Sequence, residues 1–150
     1  MALNLEKVGA AYPPATYEVG REKIREFADA IGDPNPAYRD AQAARALGHA
    51  DVVAPPTFAV VVTREPQKSV IDDPELGLDF SRVVHGDQKF LLHRPITAGD
   101  MLSVVATVDS ARTVAGNDIL AIRSDVSGAD GEPVATVRAT LVARAVESEG

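Results

Sequence analysis

An apolar repeat with helical spacing runs through residues 21–31 and predicts the first element of the chain. Its apolar positions follow the spacing i, i+3, i+4 and i+7, which defines one face of an amphipathic helix. They are Ile24, Phe27, Ala28 and Ile31. Gly32 follows at the usual helix stop, and prolines at 34 and 36 prevent continuation. The stretch IGDPNPAY, residues 31–38, is therefore predicted to be a rigid loop.

A second, shorter helix is predicted from Ala41 to Leu47. Asp40 stands at its N-cap position, where a carboxylate accepts a hydrogen bond from the first helical turn, and Gly48 closes it. The polar, turn-rich stretch DDPELGLD, residues 72–79, predicts a loop.

Residues 52–62 carry an ambiguous pattern. Their β-branched residues favour a strand, whereas Pro55 and Pro56 favour the first turn of a helix. A helix here would be apolar on nearly every side, so it would have to be buried, for example inside a curved sheet. Pro66 would end or kink such a helix. The pattern leaves both interpretations open.

From Arg82 onward the pattern changes to period two, which predicts strands. The first, over residues 82–94, has two faces. Gln88, Phe90 and Leu92 are predicted to face one way, and His85, Asp87, Lys89, Leu91 and His93 the other. PITAGD, residues 95–100, then turns the chain.

Three more alternating runs complete the pattern, over residues 102–109, 119–126 and 134–146. Turn sequences separate them, at Ala115 to Asp118 and at the dipeptide Asp130-Gly131. Helices therefore precede a long antiparallel meander joined by hairpins, which is an α+β plan with helix and sheet segregated.

Length and composition indicate one domain spanning residues 1–150. The chain has 150 residues with 45% hydrophobic content and contains no cysteine, which excludes disulfides and thiolate metal sites. No apolar run approaches the roughly 18 residues of a membrane span, and the start of the chain does not resemble a signal peptide. A cytoplasmic location is the expectation.

The formal charge of -7 argues against binding of nucleic acid or anionic lipid through a broad basic surface. A local docking surface for an acidic partner or a phosphate stays open beside the simpler interpretation of scattered, solvated charges. The basic residues that could form it are Arg39, Arg45, Arg64, Lys68, Lys89 and Arg94. The three histidines show no zinc-type spacing, so no metal is expected, and no phosphate loop or nucleophile elbow occurs.

Asp33 is the acid with the most defined setting in the sequence. A helix end and two prolines would hold its carboxylate in place, and catalytic groups gain from such positioning. Asp and Asn beside proline are also ordinary turn formers, whose side chains bond nearby backbone amides. The residues themselves leave a catalytic and a structural role of Asp33 and Asn35 open.

Three stretches of the chain resemble one family. FADAIGDPNP, residues 27–36, is similar to the hydratase signature of the MaoC-like (3R)-hydroxyacyl-thioester dehydratases, in which a helix runs into a Gly-Asp-x-Asn-Pro loop followed by histidine. APPTF resembles the start of the central hot-dog helix, and HGDQKFLLHRPITAGDML resembles a sheet segment of the N-terminal type of MaoC-like domain. The resemblance implies a single hot-dog domain, with the sheet wrapped around a central helix, and a buried helix after Pro55.

The resemblance also implies a reaction. In the family an Asp and a His act on water and the acyl thioester, so that water is lost or added reversibly across the C2–C3 bond without a cofactor. Backbone amides near Pro56 to Phe58 would hold the thioester oxygen. Asp33 would then be catalytic, and the implied substrate-binding residues are Asn35, Tyr38, Pro56, Thr57, Phe58, His85, Gly86 and Gln88.

The chain departs from the family pattern at one position. Tyr38 stands where the family has histidine, two residues after Pro36. A phenol with an ordinary pKa near 10 is a poor proton shuttle at neutral pH. The catalytic pair is therefore incomplete. His85, beside Gly86 on the first strand, could substitute for the missing histidine, but pocket lining by His85 or Gln88 is the preferred interpretation.

Three hypotheses follow from this departure. The chain is a subunit of a (3R)-hydroxyacyl-thioester dehydratase that binds the acyl chain of an acyl-ACP or acyl-CoA thioester, while a second hot-dog subunit supplies the Asp/His pair, as in heterodimeric dehydratases of type II fatty-acid synthesis. It is a self-sufficient homodimeric hydratase that uses Asp33. Or it is a non-catalytic acyl-thioester binder or a thioesterase, although PPTFAVVV offers only Thr57 as a nucleophile.

Overall fold

The computed structural model describes residues 3–146, which form one α+β domain with a five-stranded antiparallel sheet. The strands are β1 (Ala15–Glu18), β2 (Val83–Leu92), β3 (Met101–Val114), β4 (Asn117–Ser127) and β5 (Pro133–Ala143). The helices are α1 (Arg21–Ala30), α2 (Ala41–Ala46), α3 (Ala59–Val62) and α4 (Arg64–Ile71). The predicted fold class is confirmed. The predicted domain spans residues 1–150, and residues 1–2 and 147–150 of it lie outside the described range.

The sheet order is β1-β3-β4-β5-β2, so only part of the predicted meander is confirmed. Hairpins join β3, β4 and β5 in sequence, whereas β2 pairs with β5 at the far edge and makes no hairpin with β3. The reason lies in PITAGD, which bonds to the segment before the central helix: Ala54 N–H donates to the Ile96 carbonyl, and Ala98 N–H to the Val52 carbonyl. This crossover carries the chain from one edge of the sheet towards the other.

The ambiguous segment adopts both of its possible structures in succession. Val53 is extended and forms an isolated bridge with Thr97. A 3-10 turn begins at Pro56 and leads directly into α3. The double proline stands where a helix start tolerates missing N–H donors, and the β-branched residues before it take the extended part.

The central helix is divided in two at Thr63, between α3 and α4. Pro66 lies in the first turn of α4, so it does not end the helix there. Without an N–H it cannot bond back to Val62, and this accounts for the break between α3 and α4.

The inner face of the sheet packs against this divided helix. Phe58, Ala59 and Val62 are buried against strand residues that include Leu102 and Val137. A second part of the core forms around Val70, and it contains Ala106, Val108, Leu120, Ile122 and Leu141. The helix is not buried on every side as predicted, because Val60 is 39% exposed.

The predicted first and second helices are confirmed as α1 and α2. Ile24 and Ala28 face the core, whereas Ile31, which shares their apolar spacing, is the C-cap and is 48% exposed. The Asp40 carboxylate accepts from Gln42 N–H at 2.9 Å, as its capping position predicts. The short strand β1 was not predicted, although its four residues alternate between half-buried and exposed. No helix in the described part of the chain is long and apolar enough to cross a membrane.

Candidate functional site

The loop after α1 is built from two consecutive side-chain turns. The Asp33 carboxylate accepts from Asn35 N–H at 3.1 Å, and the Asn35 side-chain oxygen accepts from Ala37 N–H at 3.0 Å. Both side chains thus mimic backbone turns, the role that Asp and Asn beside proline commonly take. Asp33 Oδ1 is engaged in holding the loop's own backbone.

Arg39 fixes this loop to the end of α1. Its guanidinium donates to the Asp33 carbonyl at 2.7 Å, to the Asn35 carbonyl at 3.0 Å and to the Asp29 carboxylate at 2.6 Å. A planar guanidinium can make these bonds at once because its donors point in several fixed directions. The loop is therefore rigid, as the prolines predict, with an added clamp that the sequence pattern does not reveal.

A cavity of about 430 Å³ lies between this loop and the end of β2. Asn35, Tyr38 and Pro56, three of the predicted substrate-binding residues, line it. His49 and His93 line it too. Sequence reasoning did not select these histidines, because they are 44 positions apart in the chain and only the crossover near PITAGD brings them together. Arg94 also lines the cavity, whose remaining wall is mostly aliphatic.

A larger cavity, of about 740 Å³, lies between α1, the central helix and the start of β2. Its apolar wall includes Phe27, Val60, Val61, Ile71 and Leu141. His85 also lines it, together with charged side chains such as Lys23 and Arg64. The cavity is concave with an apolar wall, as small-molecule sites usually are, but polar and charged side chains make up much of the rest of its lining.

A bulge in β2 places His85 on the inner face of the sheet. His85 lies opposite Leu141 and Asp87 lies opposite Thr140, so Gly86 is an extra residue in the strand. The insertion shifts the alternation by one, and His85 and Gln88 share a face. The predicted placement of these two side chains on opposite faces is wrong, because a period-two pattern assumes that no residue is inserted.

His85 and Gln88 form a hydrogen-bonded pair. The distance from His85 Nε2 to Gln88 Oε1 is 2.9 Å. The other amide atom of the same side chain, Gln88 Nε2, is buried and has no hydrogen-bond partner, alone among buried side-chain nitrogens and oxygens of residues 3–146. Buried polar groups are nearly always paired, so this amide stands out.

The remaining predicted site residues lie elsewhere. Thr57 is exposed on the turn before α3 and lines neither cavity. Phe58 is fully buried and makes edge-to-face contacts with Phe27 and Tyr17, with ring centroids 5.6 Å and 6.4 Å away. The predicted residues thus divide between two cavities, the loop and the core, and their functional roles stay predictions.

Most of the mid-chain basic residues have an acidic neighbour. Arg39 pairs with Asp29, Arg45 lies 4.0 Å from Asp51, and Lys68 pairs with Asp72. Lys89 and Arg94 likewise have acidic neighbours, Asp87 and Asp100. Within the described residues Arg64 makes no ion pair. A docking surface for an acidic partner therefore gains no support from this set.

Within residues 3–146, no group of three or more histidine and acidic side chains is arranged to hold a metal ion.

Comparisons with known proteins agree with this architecture. Residues 6–137 match the model of the family described as FAS1-like, dehydratase domain region. A UPF0336 protein of Streptomyces coelicolor is 60% identical over 148 residues, covering 98% of this chain and 99% of that protein. A UPF0336 protein of Thermobifida fusca is 50% identical, covering 96% and 95%.

Two solved structures are also similar. A chain of the C-terminally truncated HadBC (3R-hydroxyacyl-ACP dehydratase) complex of Mycobacterium tuberculosis has a TM-score of 0.83 and 32% identity, covering 95% of this chain and 99% of that one. A MaoC-like dehydratase has a TM-score of 0.86 and 34% identity, and the match covers 96% of this chain but 44% of that longer one.

Proposed function

The chain belongs to the FAS1-like dehydratase family and has the hot-dog fold of MaoC-like dehydratases, and from that premise we propose that it is one subunit of a (3R)-hydroxyacyl-thioester dehydratase or enoyl hydratase. In this proposal the chain binds the acyl part of an ACP or CoA thioester in the cytoplasm. A second hot-dog subunit supplies the acid and the histidine that handle water and the C2 proton.

The observation that carries this proposal is Tyr38. It stands where the family signature has histidine, and it lines the smaller cavity with Asn35 rather than offering an imidazole. A phenol is a poor substitute for imidazole in the proton exchange that a dehydratase needs. Asp33, the surviving acid, is engaged by Asn35 N–H.

The exposed edge strand β2 supports a hot-dog partner. It is ten residues long, pairs on one side only, and exposes Val84, Leu91 and Leu92. The bulge at Gly86 and the charged side chains of Asp87 and Lys89 protect the middle of this edge. The apolar pair Leu91 and Leu92 leaves its end as a template for another strand. The similar HadBC structure is a complex, which also supports a two-subunit arrangement for this chain.

The experiment that tests the proposal is Asp33→Asn in the reconstituted complex. The partner is a MaoC-like protein of the same organism with an intact Asp/His signature, and the assay is hydration of a trans-2-enoyl-CoA. We expect the substitution to change turnover by less than about threefold, because the chemistry belongs to the partner. The same substitution in the partner's own loop is the positive control, with an expected loss of about 100-fold or more.

A loss of about 100-fold from Asp33→Asn in this chain would contradict the proposal. It would make Asp33 a general acid or base and favour a self-sufficient hydratase instead.

A further inference from the structure

Three cationic side chains line the larger cavity, and one of them has no acidic neighbour. Lys23 lies 3.2 Å from Glu26, and Lys68 pairs with Asp72, so each lysine has an acid on its own helix. Arg64 is exposed and makes neither an ion pair nor a side-chain hydrogen bond within the described part of the chain. Among the described residues nothing offsets this one positive charge of the lining, although the chain as a whole has a formal charge of -7.

The break in the central helix brings Arg64 to this cavity. α4 begins at Arg64, directly after Thr63, whose hydroxyl donates to the Ala59 carbonyl at 3.0 Å and so holds the turn in place. Val60 precedes Arg64 by about one helical turn, and both residues line the cavity. Glu65, the next residue, points to a different side because consecutive helical positions do not share a face. Arg64 therefore borders the apolar wall with its donors free.

The rest of the lining mixes apolar and neutral polar side chains. Phe27, Val60 and Val61 supply an apolar wall, and Gln67 and His85 supply hydrogen-bonding groups. A plain alkyl chain would match only the wall and would take the polar groups out of water without giving them partners, which is costly. The complement of the whole cavity is a ligand that combines aliphatic groups with neutral amides and that ends in an anion.

The phosphopantetheine arm of an acyl thioester has this composition. Its methylene and methyl groups match the apolar wall, and its amides both donate and accept, as Gln67 and His85 do. The thioester and the amides are uncharged, so the phosphate is the only anion of the arm. A guanidinium presents a planar fork of donors that fits phosphate oxygens, which makes Arg64 the matching group.

We propose that the larger cavity binds the phosphopantetheine arm of the acyl thioester and that Arg64 binds its phosphate. This inference rests on the proposed function and adds to it where the arm lies and which residue anchors it. Arg64 is a positioning residue, since the phosphate lies at the far end of the arm from the reacting carbons. CoA and acyl carrier protein carry the same arm, so the inference concerns the chemistry that they share.

Binding of three thioesters of equal acyl length to the full chain, measured by titration calorimetry, tests the inference. The probes are dodecanoyl-pantetheine, which lacks the phosphate, dodecanoyl-4′-phosphopantetheine and dodecanoyl-CoA. We expect both phosphorylated probes to bind about tenfold tighter than dodecanoyl-pantetheine, the scale of a charge-assisted hydrogen bond. Equal affinity for dodecanoyl-pantetheine and dodecanoyl-4′-phosphopantetheine would overturn the inference and leave the proposed function standing. Binding of none of the three would overturn both.

Arg64→Gln should bring the ratio of these affinities close to one while the affinity for dodecanoyl-pantetheine stays unchanged, which shows that the cavity is intact. Arg64→Lys keeps the charge and should restore most of the phosphate preference. The matched control is Arg25→Gln, at an exposed arginine of α1 that lines neither cavity, and it should keep the wild-type ratio. A wild-type ratio in Arg64→Gln would overturn the inference.

Salt gives a measurement on the wild-type chain alone. The attraction between an exposed guanidinium and a phosphate is screened as the Debye length falls from about 10 Å at 0.1 M salt to about 3 Å at 1 M. We expect the phosphate preference to fall towards one over this range, without a loss of affinity for dodecanoyl-pantetheine. A phosphate preference that salt does not change would overturn the inference.

The two natural sources of the arm are distinguished with the same variant. Dodecanoyl-CoA and the dodecanoyl form of the organism's acyl carrier protein are titrated into the wild-type and Arg64→Gln chains. The carrier whose affinity falls about fivefold or more is the one whose phosphate Arg64 binds. A loss with neither carrier would overturn the inference.

Discussion

Among single residues, Asp33 and Asn35 show how one sequence motif can keep its shape while its chemistry changes. Both side chains bond to backbone N–H groups two positions later, and Arg39 bonds to the carbonyls of both residues. The turn-forming tendency of Asp and Asn beside proline could be predicted from sequence. The Arg39 clamp could not, because nothing in local spacing distinguishes an arginine that folds back on the loop from one in solvent.

Asp51 gives the residue-level prediction, which concerns acid stability. Arg21 donates to both of its carboxylate oxygens, at 2.9 Å and 2.8 Å, and Val52 N–H donates to one of them. The hydrogen bond from Arg21 is the main cause that lowers the pKa of Asp51 to about 2. A carboxyl group with a depressed pKa stabilises the folded state above its unfolded pKa, near 4, and loses that contribution as pH falls towards 2.

We therefore expect Asp51→Asn to lower the free energy of unfolding by about 0.5–1 kcal/mol at pH 6, the scale of a largely exposed ion pair. The difference from wild type should shrink as pH falls from 4 to 2. Urea unfolding at several pH values measures it, with Asp130→Asn, an exposed turn acid, as control. Parallel stability curves of Asp51→Asn and wild type across this range would contradict the assignment.

Among the elements, the helices were the easier part to predict. The α1 repeat and the Asp40 cap are local signals, and both are found in the structure. The faces of β2 were predicted incorrectly, because one inserted residue at Gly86 reverses the alternation for His85. A glycine in a strand suggests a bulge. Whether a bulge forms depends on which residues of the neighbouring strand lie opposite, and the sequence alone does not give that pairing.

Gly86→Ala is the prediction for this element. The added Cβ would press on the Thr140 carbonyl, which belongs to a paired strand and cannot move freely. We expect a loss of about 1–2 kcal/mol in the free energy of unfolding, together with disruption of the His85–Gln88 pair. Gly20→Ala controls for the added methyl alone, since a Cβ there meets nothing within 4 Å; its own cost is limited to the loss of glycine at the N-cap of α1. An unchanged free energy of urea unfolding and unchanged NMR signals of the His85 ring in the Gly86→Ala chain would contradict the tight packing of the bulge.

For the whole molecule, the class of fold was predictable and the strand order was not. Period-two runs after helical runs indicate an α+β domain, but they do not say which strands pair. The pairing of β2 with β5 depends on a contact between residues 52–54 and residues 96–98, which are far apart in sequence. The same long-range step lines the smaller cavity with Val53, Ala54 and Ile96 and leaves β2 at the edge.

Leu91→Lys tests the role proposed for that edge. Leu91 is 59% exposed on β2, and a lysine on an edge strand opposes pairing with another strand. We expect the substitution to reduce complex formation with the His-bearing partner at least about tenfold, measured by size exclusion with light scattering. Val114→Lys is the matched control, since Val114 is 48% exposed at the end of β3 and should leave the complex intact. Equal assembly of both variants would count against pairing through β2.

The central claim is that this chain lacks a complete catalytic pair of its own. The most direct measurement is the rate of hydration of trans-2-enoyl-CoA by the purified chain alone, with the Asp33→Asn variant assayed in parallel. The account predicts no turnover above background for either protein, because Tyr38 replaces the family's histidine. Robust turnover by the wild-type chain that Asp33→Asn abolishes would contradict it.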